Sequence, residues 1–252
     1  MNRTSLLLLL KELNLTHMLK SLDEIESRAL EDKWSYTQFL SSLVELESNA
    51  RYSTRIKRYV KEAKLPAGKT LATFKSADAS GVNFQQIEAF AQNSSWVKDC
   101  QNIILFGPGG LGKTHLAAAI AHGIVTQGIR ALFTKTTVLV QKLQEAKSRF
   151  QLPEALAKFN SYPLLVLDDI GYAKKTELET SVLFELIADR YETGSLIITS
   201  NLGFRDWDQI FPDNMMSVAA VDRVVHHSVC INLTGTSYRK KESDLKKTKR
   251  FI

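Results

Sequence analysis

From Gly107 to Thr114 the chain reads G-P-G-G-L-G-K-T, a glycine-rich turn closed by a lysine and a hydroxyl. Phosphate is the ligand that this spacing suits. Glycines at 107, 109, 110 and 112 allow the backbone to fold so that consecutive N–H groups point at phosphate oxygens. The apolar "NIILF" precedes the turn and "THLAAAIAHGI" follows it, so a strand leads in and a helix leads out. The helix adds its positive N-terminal end. Lys113 is expected to reach the β- and γ-phosphates, and the Thr114 hydroxyl to ligate Mg²⁺. The nucleotide-binding run is therefore Gly107, Pro108, Gly109, Gly110, Leu111, Gly112, Lys113, Thr114 and His115.

A second segment, "YPLLVLDDIG", carries Asp168 and Asp169 at the end of a strand too apolar for anything but a sheet centre. Two adjacent carboxylates beside a phosphate site have a use. One can hold Mg²⁺ and the other can polarise the attacking water. The alternative is a solvated turn. A third strand, "SLIITSNLGF", ends on Thr199, Ser200 and Asn201. A strand lying between the loop strand and the aspartate strand would bring that polar end to the γ-phosphate. Asn201 is the residue expected to position the water, whereas Ser200 could cap the loop that follows. Arg223 has two readings: an arginine that neutralises transition-state charge in a neighbouring subunit, or one arm of a surface salt bridge with Asp222 or another carboxylate. His226 and His227 lack metal partners at suitable spacing and read as helix-end residues. Thr176 and Glu179 form a capping-box pattern, and Lys174 and Lys175 before them are either solvated or phosphate-binding.

The elements that must position these groups alternate. Apolar or β-branched runs at 102–106, 130–134, 164–168, 196–200 and 229–233 are separated by helical stretches. That order predicts an α/β fold with a five-stranded parallel sheet covered by helices on both faces. Residues 1–66 instead show only helical periodicity, with Leu6, Leu10 and Leu13 on one face and Phe39, Leu40 and Leu43 on a later one. Pro66 and Gly68 mark a stop and linker, giving a small all-helical N-terminal domain (1–66) and a nucleotide-binding domain (67–252) with a basic C-terminal tail.

The chain of 252 residues is 44% hydrophobic and 24% charged, which suits a soluble globular protein with a real core. The run "SLLLLL" is too short to span a membrane, and no membrane association is expected. Two distant cysteines, Cys100 and Cys230, suggest reduced thiols and a cytoplasmic location. The net charge of +6 is unevenly placed: segments 51–69 and 238–252 alone carry +6 and +5. Concentrated positive charge points to a polyanion. Arg51, Arg55, Arg58 and Lys61 are expected to contact DNA phosphates in a sequence-tolerant way.

The combination of "GPGGLGKTHLA", "LLVLDDIGY", "LFELIADRYE", "SLIITSNLGFRDW", "VDRVVHH" and "GTSYR" resembles the IstB-type ATP-binding proteins of bacterial insertion sequences. These are relatives of the helicase loader DnaC within the P-loop AAA+ ATPases. The resemblance runs almost end to end. It implies an ATP- and Mg²⁺-using homo-oligomer that assembles on double-stranded DNA and stimulates a partner transposase. By matching motif it implies that Asp168 belongs to the metal site, Asn201 is the first sensor and Arg223 acts in trans. Many AAA+ proteins have Glu where this chain has Asp169, and the acidic residue usual before "SYR" is Thr236 here, so a sensor role for Arg239 is left open. Competing readings are a DnaC-like helicase loader or replication accessory, a small-molecule kinase and a scaffold that never hydrolyses.

Overall fold

In the computed structural model the five apolar runs form one parallel sheet: β1 (Asn102–Phe106), β2 (Ala131–Lys135), β3 (Leu164–Asp168), β4 (Ser195–Ser200) and β5 (Ser228–Asn232). Three of the runs shift by one residue from the expected bounds. The structure describes residues 2–74, 82–171, 176–203, 206, 207, 210, 214–235 and 237, without the side chains of 214–217. Lys174, Lys175, Thr236 and the tail that holds Arg239 lie outside the described residues.

The strand order is β2-β3-β4-β1-β5, so β4 lies between the strand that leads into the glycine turn and the strand that ends in the aspartates. Parallel neighbours require crossovers. These are α6 (Lys113–Thr126) after β1, α7 (Thr136–Ser148) and α8 (Leu152–Asn160) after β2, α9 (Glu177–Arg190) after β3 and α10 (Asn214–His226) after β4. The expected capping box starts α9, with the Thr176 side chain accepting from Glu179 N–H and the Glu179 carboxylate accepting from Thr176 N–H. Alternate residues of each strand enter opposite cores. Ile103, Leu105, Val166 and Ile197 pack with α6, while Ile104, Leu165, Leu167 and Ile198 pack with Leu139, Leu183 and Leu186 of α7 and α9. The register sets Phe106 opposite Ser200 and Lys135 opposite Asp168, so the functional ends of the strands finish level.

The chain divides into two compact units, Met1–Arg58 and Tyr59–Ile252. The first holds α1 (Arg3–Glu12), α2 (Thr16–Glu31) and most of α3 (Tyr36–Glu62). Its hub is Glu47, whose buried carboxylate accepts from the first-turn N–H groups of His17 (2.7 Å) and Met18 (3.0 Å) and from Arg51 Nε (2.8 Å). Burial alone would raise this carboxyl, but the Arg51, Met18 and His17 donors together hold it below its ordinary value. Arg3 joins α1 to α2 through Asp23 and Glu26.

The larger unit has its own buried clamp at the end of the sheet away from the site. Arg190, 1% exposed, donates to the carbonyls of Phe159, Tyr162, Pro163 and Ser195 and to Asn160 Oδ1. It thereby ties α8 and the entries to β3 and β4 to the end of α9. Burial lowers its pKa to about 10, yet it stays charged near neutrality. Arg190→Ala should therefore remove these hydrogen bonds, leave a buried void and cost more than about 3 kcal/mol in urea denaturation. Arg190→Lys, which keeps the charge but not the fork, should recover only part of that loss. A wild-type midpoint for Arg190→Ala would contradict the clamp.

Candidate functional site

Sequence dictates the loop first. Gly107, Gly110 and Gly112 sit at φ 137°, 85° and 89°, the left-handed region in which a side chain is strained. Each is also crowded: an added Cβ would lie 2.2 Å from Leu233 O, 2.1 Å from Ser237 Oγ and 2.6 Å from Phe74 Cε2 respectively. Gly109 differs, with negative φ and no atom within 4 Å of an added Cβ, so neither conformation nor space demands glycine there. Lys113 begins α6 and is nearly buried. Its ammonium donates to the carbonyls of Gly107 (2.6 Å) and Pro108 (2.9 Å), which keeps the charge at the centre of the loop.

The aspartates stand beside it. Asp168 is 3% exposed, and its carbonyl accepts from Thr136 Oγ1 at 3.0 Å. Its carboxylate oxygen Oδ1 accepts from Thr199 Oγ1 at 2.7 Å, and the Thr114 side chain lies near enough to favour the ionised carboxylate. Burial pushes the Asp168 carboxyl above its ordinary value, against the opposing pull of Thr199 and Thr114, with Asp169 adding to the rise and Lys69 opposing it. Asp169 is half-buried at φ 58°, and its N–H donates to Thr199 Oγ1 at 2.8 Å. A hydroxyl and a carboxylate meeting at one point are the donor set a hard divalent cation takes when phosphate oxygens and water complete its shell. Among the described residues no group of three or more His, Cys, Asp or Glu could hold a metal ion on its own.

The polar end of β4 divides its labour. Thr199 is fully buried against the aspartates, a role that sequence reading grouped with Asn201. Ser200 Oγ accepts from Leu202 N–H at 3.0 Å, so this hydroxyl caps the following loop. Asn201 is exposed beside Gly171, where an added Cβ would lie 2.8 Å from Asn201 Oδ1. Gly107 N–H donates to Ser200 O at 3.2 Å, joining this end of β4 to the glycine turn. His115 turns its ring away from the loop interior: Nε2 lies 2.9 Å from Thr70 O and 3.2 Å from Thr73 Oγ1, and Phe74 packs against the ring. The segment Thr70–Phe74 thus borders the loop, a neighbour that no motif in the sequence announced.

Arg223 lies in the last turn of α10. Its guanidinium lies over the Phe184 ring and Nη1 donates to Ala219 O at 3.4 Å, contacts on α9 and α10. No carboxylate among the described residues pairs with it. His226 closes α10 and approaches His227 at 2.9 Å, matching the helix-end reading. On α3, Arg51 is committed to Glu47 and to Asn14 O, whereas Arg55 and Lys61 are exposed and Arg55 stacks on Tyr52. Arg55 and Arg58 border a cleft of about 400 Å³ within the first unit.

Because the folded Asp168 carboxyl is raised, its ionised form costs stability above the ordinary carboxylate pKa, and that cost fades as pH falls. Asp168→Asn keeps an acceptor for Thr199 and removes the buried charge. It should raise the melting temperature of nucleotide-free protein at pH 7, with a gain that shrinks toward acid pH. A lower melting temperature at pH 7 would contradict this electrostatic picture.

Comparison with known proteins agrees with the geometry. A family profile described as IstB-like ATP binding protein matches residues 8–246. An insertion-sequence ATP-binding protein of Sinorhizobium fredii is 44% identical over 236 residues, which cover 94% of this chain and 79% of that protein. The insertion sequence IS21 ATP-binding protein of Pseudomonas aeruginosa is 36% identical over 234 residues, covering 93% and 88%. Among solved structures, the DnaC helicase loader has a TM-score of 0.55 at 23% identity over 71% of this chain and 99% of that one. DnaI has a TM-score of 0.57 at 20% identity over 68% and 95%. At those identities the likeness is one of fold, an α/β core built on a parallel sheet. Among the described residues no helix is long and apolar enough to cross a membrane. The chain belongs to the IstB-like family of insertion-sequence ATP-binding proteins.

Proposed function

We propose that this protein is a Mg²⁺-dependent ATPase that assembles as a homo-oligomer on double-stranded DNA and stimulates a partner transposase, with hydrolysis as the switch. The observation that carries this reading is the meeting of Thr114 with Asp168 beside a strand inserted between β1 and β3. Lys113 neutralises the β- and γ-phosphates while the loop N–H groups cradle them. Thr114 and Asp168 would hold Mg²⁺, which would supply positive charge at the phosphates. The Asp169 carboxylate polarises the attacking water and the Asn201 amide orients it. Arg223 serves the site of a neighbouring copy. Support for that role is that its guanidinium contacts Phe184 and Ala219 and pairs with no carboxylate among the described residues.

The transposase is inferred from the relatives, which belong to insertion sequences. The same relatives favour this partner over a replicative helicase, since the DnaC likeness is one of fold. Residues 1–66 are assigned to DNA and partner binding. Arg51, Arg55, Arg58 and Lys61 make the phosphate contacts, and Arg51 also pairs with Glu47.

A salt titration of duplex affinity in ATP and Mg²⁺ tests this. Arg55→Gln combined with Arg58→Gln should flatten the plot of log K against log[salt] by about 0.9 per lost phosphate contact, with ATP affinity unchanged. Lys113→Ala should remove the strengthening of DNA binding by ATP, because assembly multiplies each subunit's weak contacts. Equal slopes for the double variant and wild type would exclude this face of α3, and DNA binding indifferent to ATP would exclude the switch.

A further inference from the structure

We propose that Thr199 is a positioning residue for the metal and water chemistry, its single hydroxyl locking the Asp168 carboxylate and the Asp169 backbone into one rigid unit. The inference rests on the ATPase reading above and deepens it.

Thr199 lies inside β4 and is fully buried. Its Oγ1 is 2.7 Å from Asp168 Oδ1 and 2.8 Å from Asp169 N. The proton assignment is forced while Asp168 is ionised. A carboxylate only accepts and a backbone N–H only donates, so the one hydroxyl hydrogen goes to Asp168 and a lone pair receives Asp169 N–H. The backbone adds a third tie, Ile170 N–H donating to Thr199 O at 2.9 Å. One residue of β4 thus holds three consecutive residues that leave β3.

Those residues need holding. Asp169 sits at φ 58°, a left-handed conformation that is uncommon for a residue with a side chain. Asp168 is a buried carboxylate that could turn about its terminal bond, and Thr136 restrains only its carbonyl. Thr199 fixes the carboxylate so that it meets the Thr114 hydroxyl, and in the same contact fixes the turn that presents Asp169. Groups that orient metal ligands in this way are worth about 10- to 100-fold in metal affinity or activity.

Thr199→Val preserves shape and deletes the hydroxyl; Thr199→Ser preserves the hydroxyl. The protein is loaded with a non-hydrolysable ATP analogue, and Mn²⁺ binding is followed by electron paramagnetic resonance. Metal-free nucleotide affinity and the Mg²⁺ concentration giving half-maximal ATP turnover are measured alongside. Thr199→Val should weaken Mn²⁺ binding and raise the Mg²⁺ requirement about tenfold or more, with metal-free nucleotide affinity near wild type, and Thr199→Ser should restore both. A merely structural role would lower the melting temperature without moving either metal reading, and that result would overturn the proposal. If Thr199→Val does not fold, Thr199→Cys, with similar volume and a weak donor, decides the matter the same way: weakened Mn²⁺ binding supports the proposal and unchanged binding overturns it. Absence of turnover in the wild-type protein would remove the ATPase reading itself, while the Mn²⁺ comparison would still decide the role of Thr199.

Discussion

β4 hydrogen-bonds to β1 on one side and to β3 on the other, and this double pairing gives the site its geometry. Parallel strands all finish at the same edge, so the glycine turn, the aspartates and the polar end of β4 are delivered to one place by backbone bonds alone. Gly107 N–H on Ser200 O extends the first pairing into the loop, and Ile170 N–H on Thr199 O extends the second beyond the aspartates. Side chains then refine what the ladders have set: Thr199 orients Asp168, and Lys113 is held among loop carbonyls.

The cost of that arrangement is carried locally. Asp168 is a buried carboxyl pushed upward by its surroundings, and Asp169 occupies a left-handed backbone conformation. Neither favours folding, and both suit a site whose charge is meant to be met by a cation and phosphates. Stability is supplied elsewhere, in the two apolar layers flanking the sheet and in the Arg190 clamp at the opposite strand ends.

What the sequence revealed follows from how local each signal is. The glycine turn, the strand cores and the Thr176–Glu179 capping box are written in consecutive or nearby residues, and they appear within a residue of their expected places. The roles of Thr199, Arg190 and Glu47 depend on partners far along the chain, and no spacing rule encodes those contacts. Arg51 shows the converse. Its charge belongs to a basic run, but an acidic residue one turn earlier, buried by packing against α2, takes its guanidinium. Likewise His115 belongs to the loop by position and to the Thr70–Phe74 segment by contact.

Among the described residues the glycine loop, Lys113, Thr114 and the aspartates gather at one end of the sheet, whereas Arg223 lies over Phe184 of its own chain. Under the proposed function, Arg223 of a neighbouring copy completes the site. The most direct measurement is ATP turnover on DNA by mixtures of Arg223→Ala and Asp169→Asn subunits, each nearly inactive alone. Arginine fingers contribute about 10³ to 10⁵ in rate, so the mixture should recover readily measurable activity when an intact site meets an intact Arg223. No recovery at any ratio, with co-assembly demonstrated, would contradict a shared site.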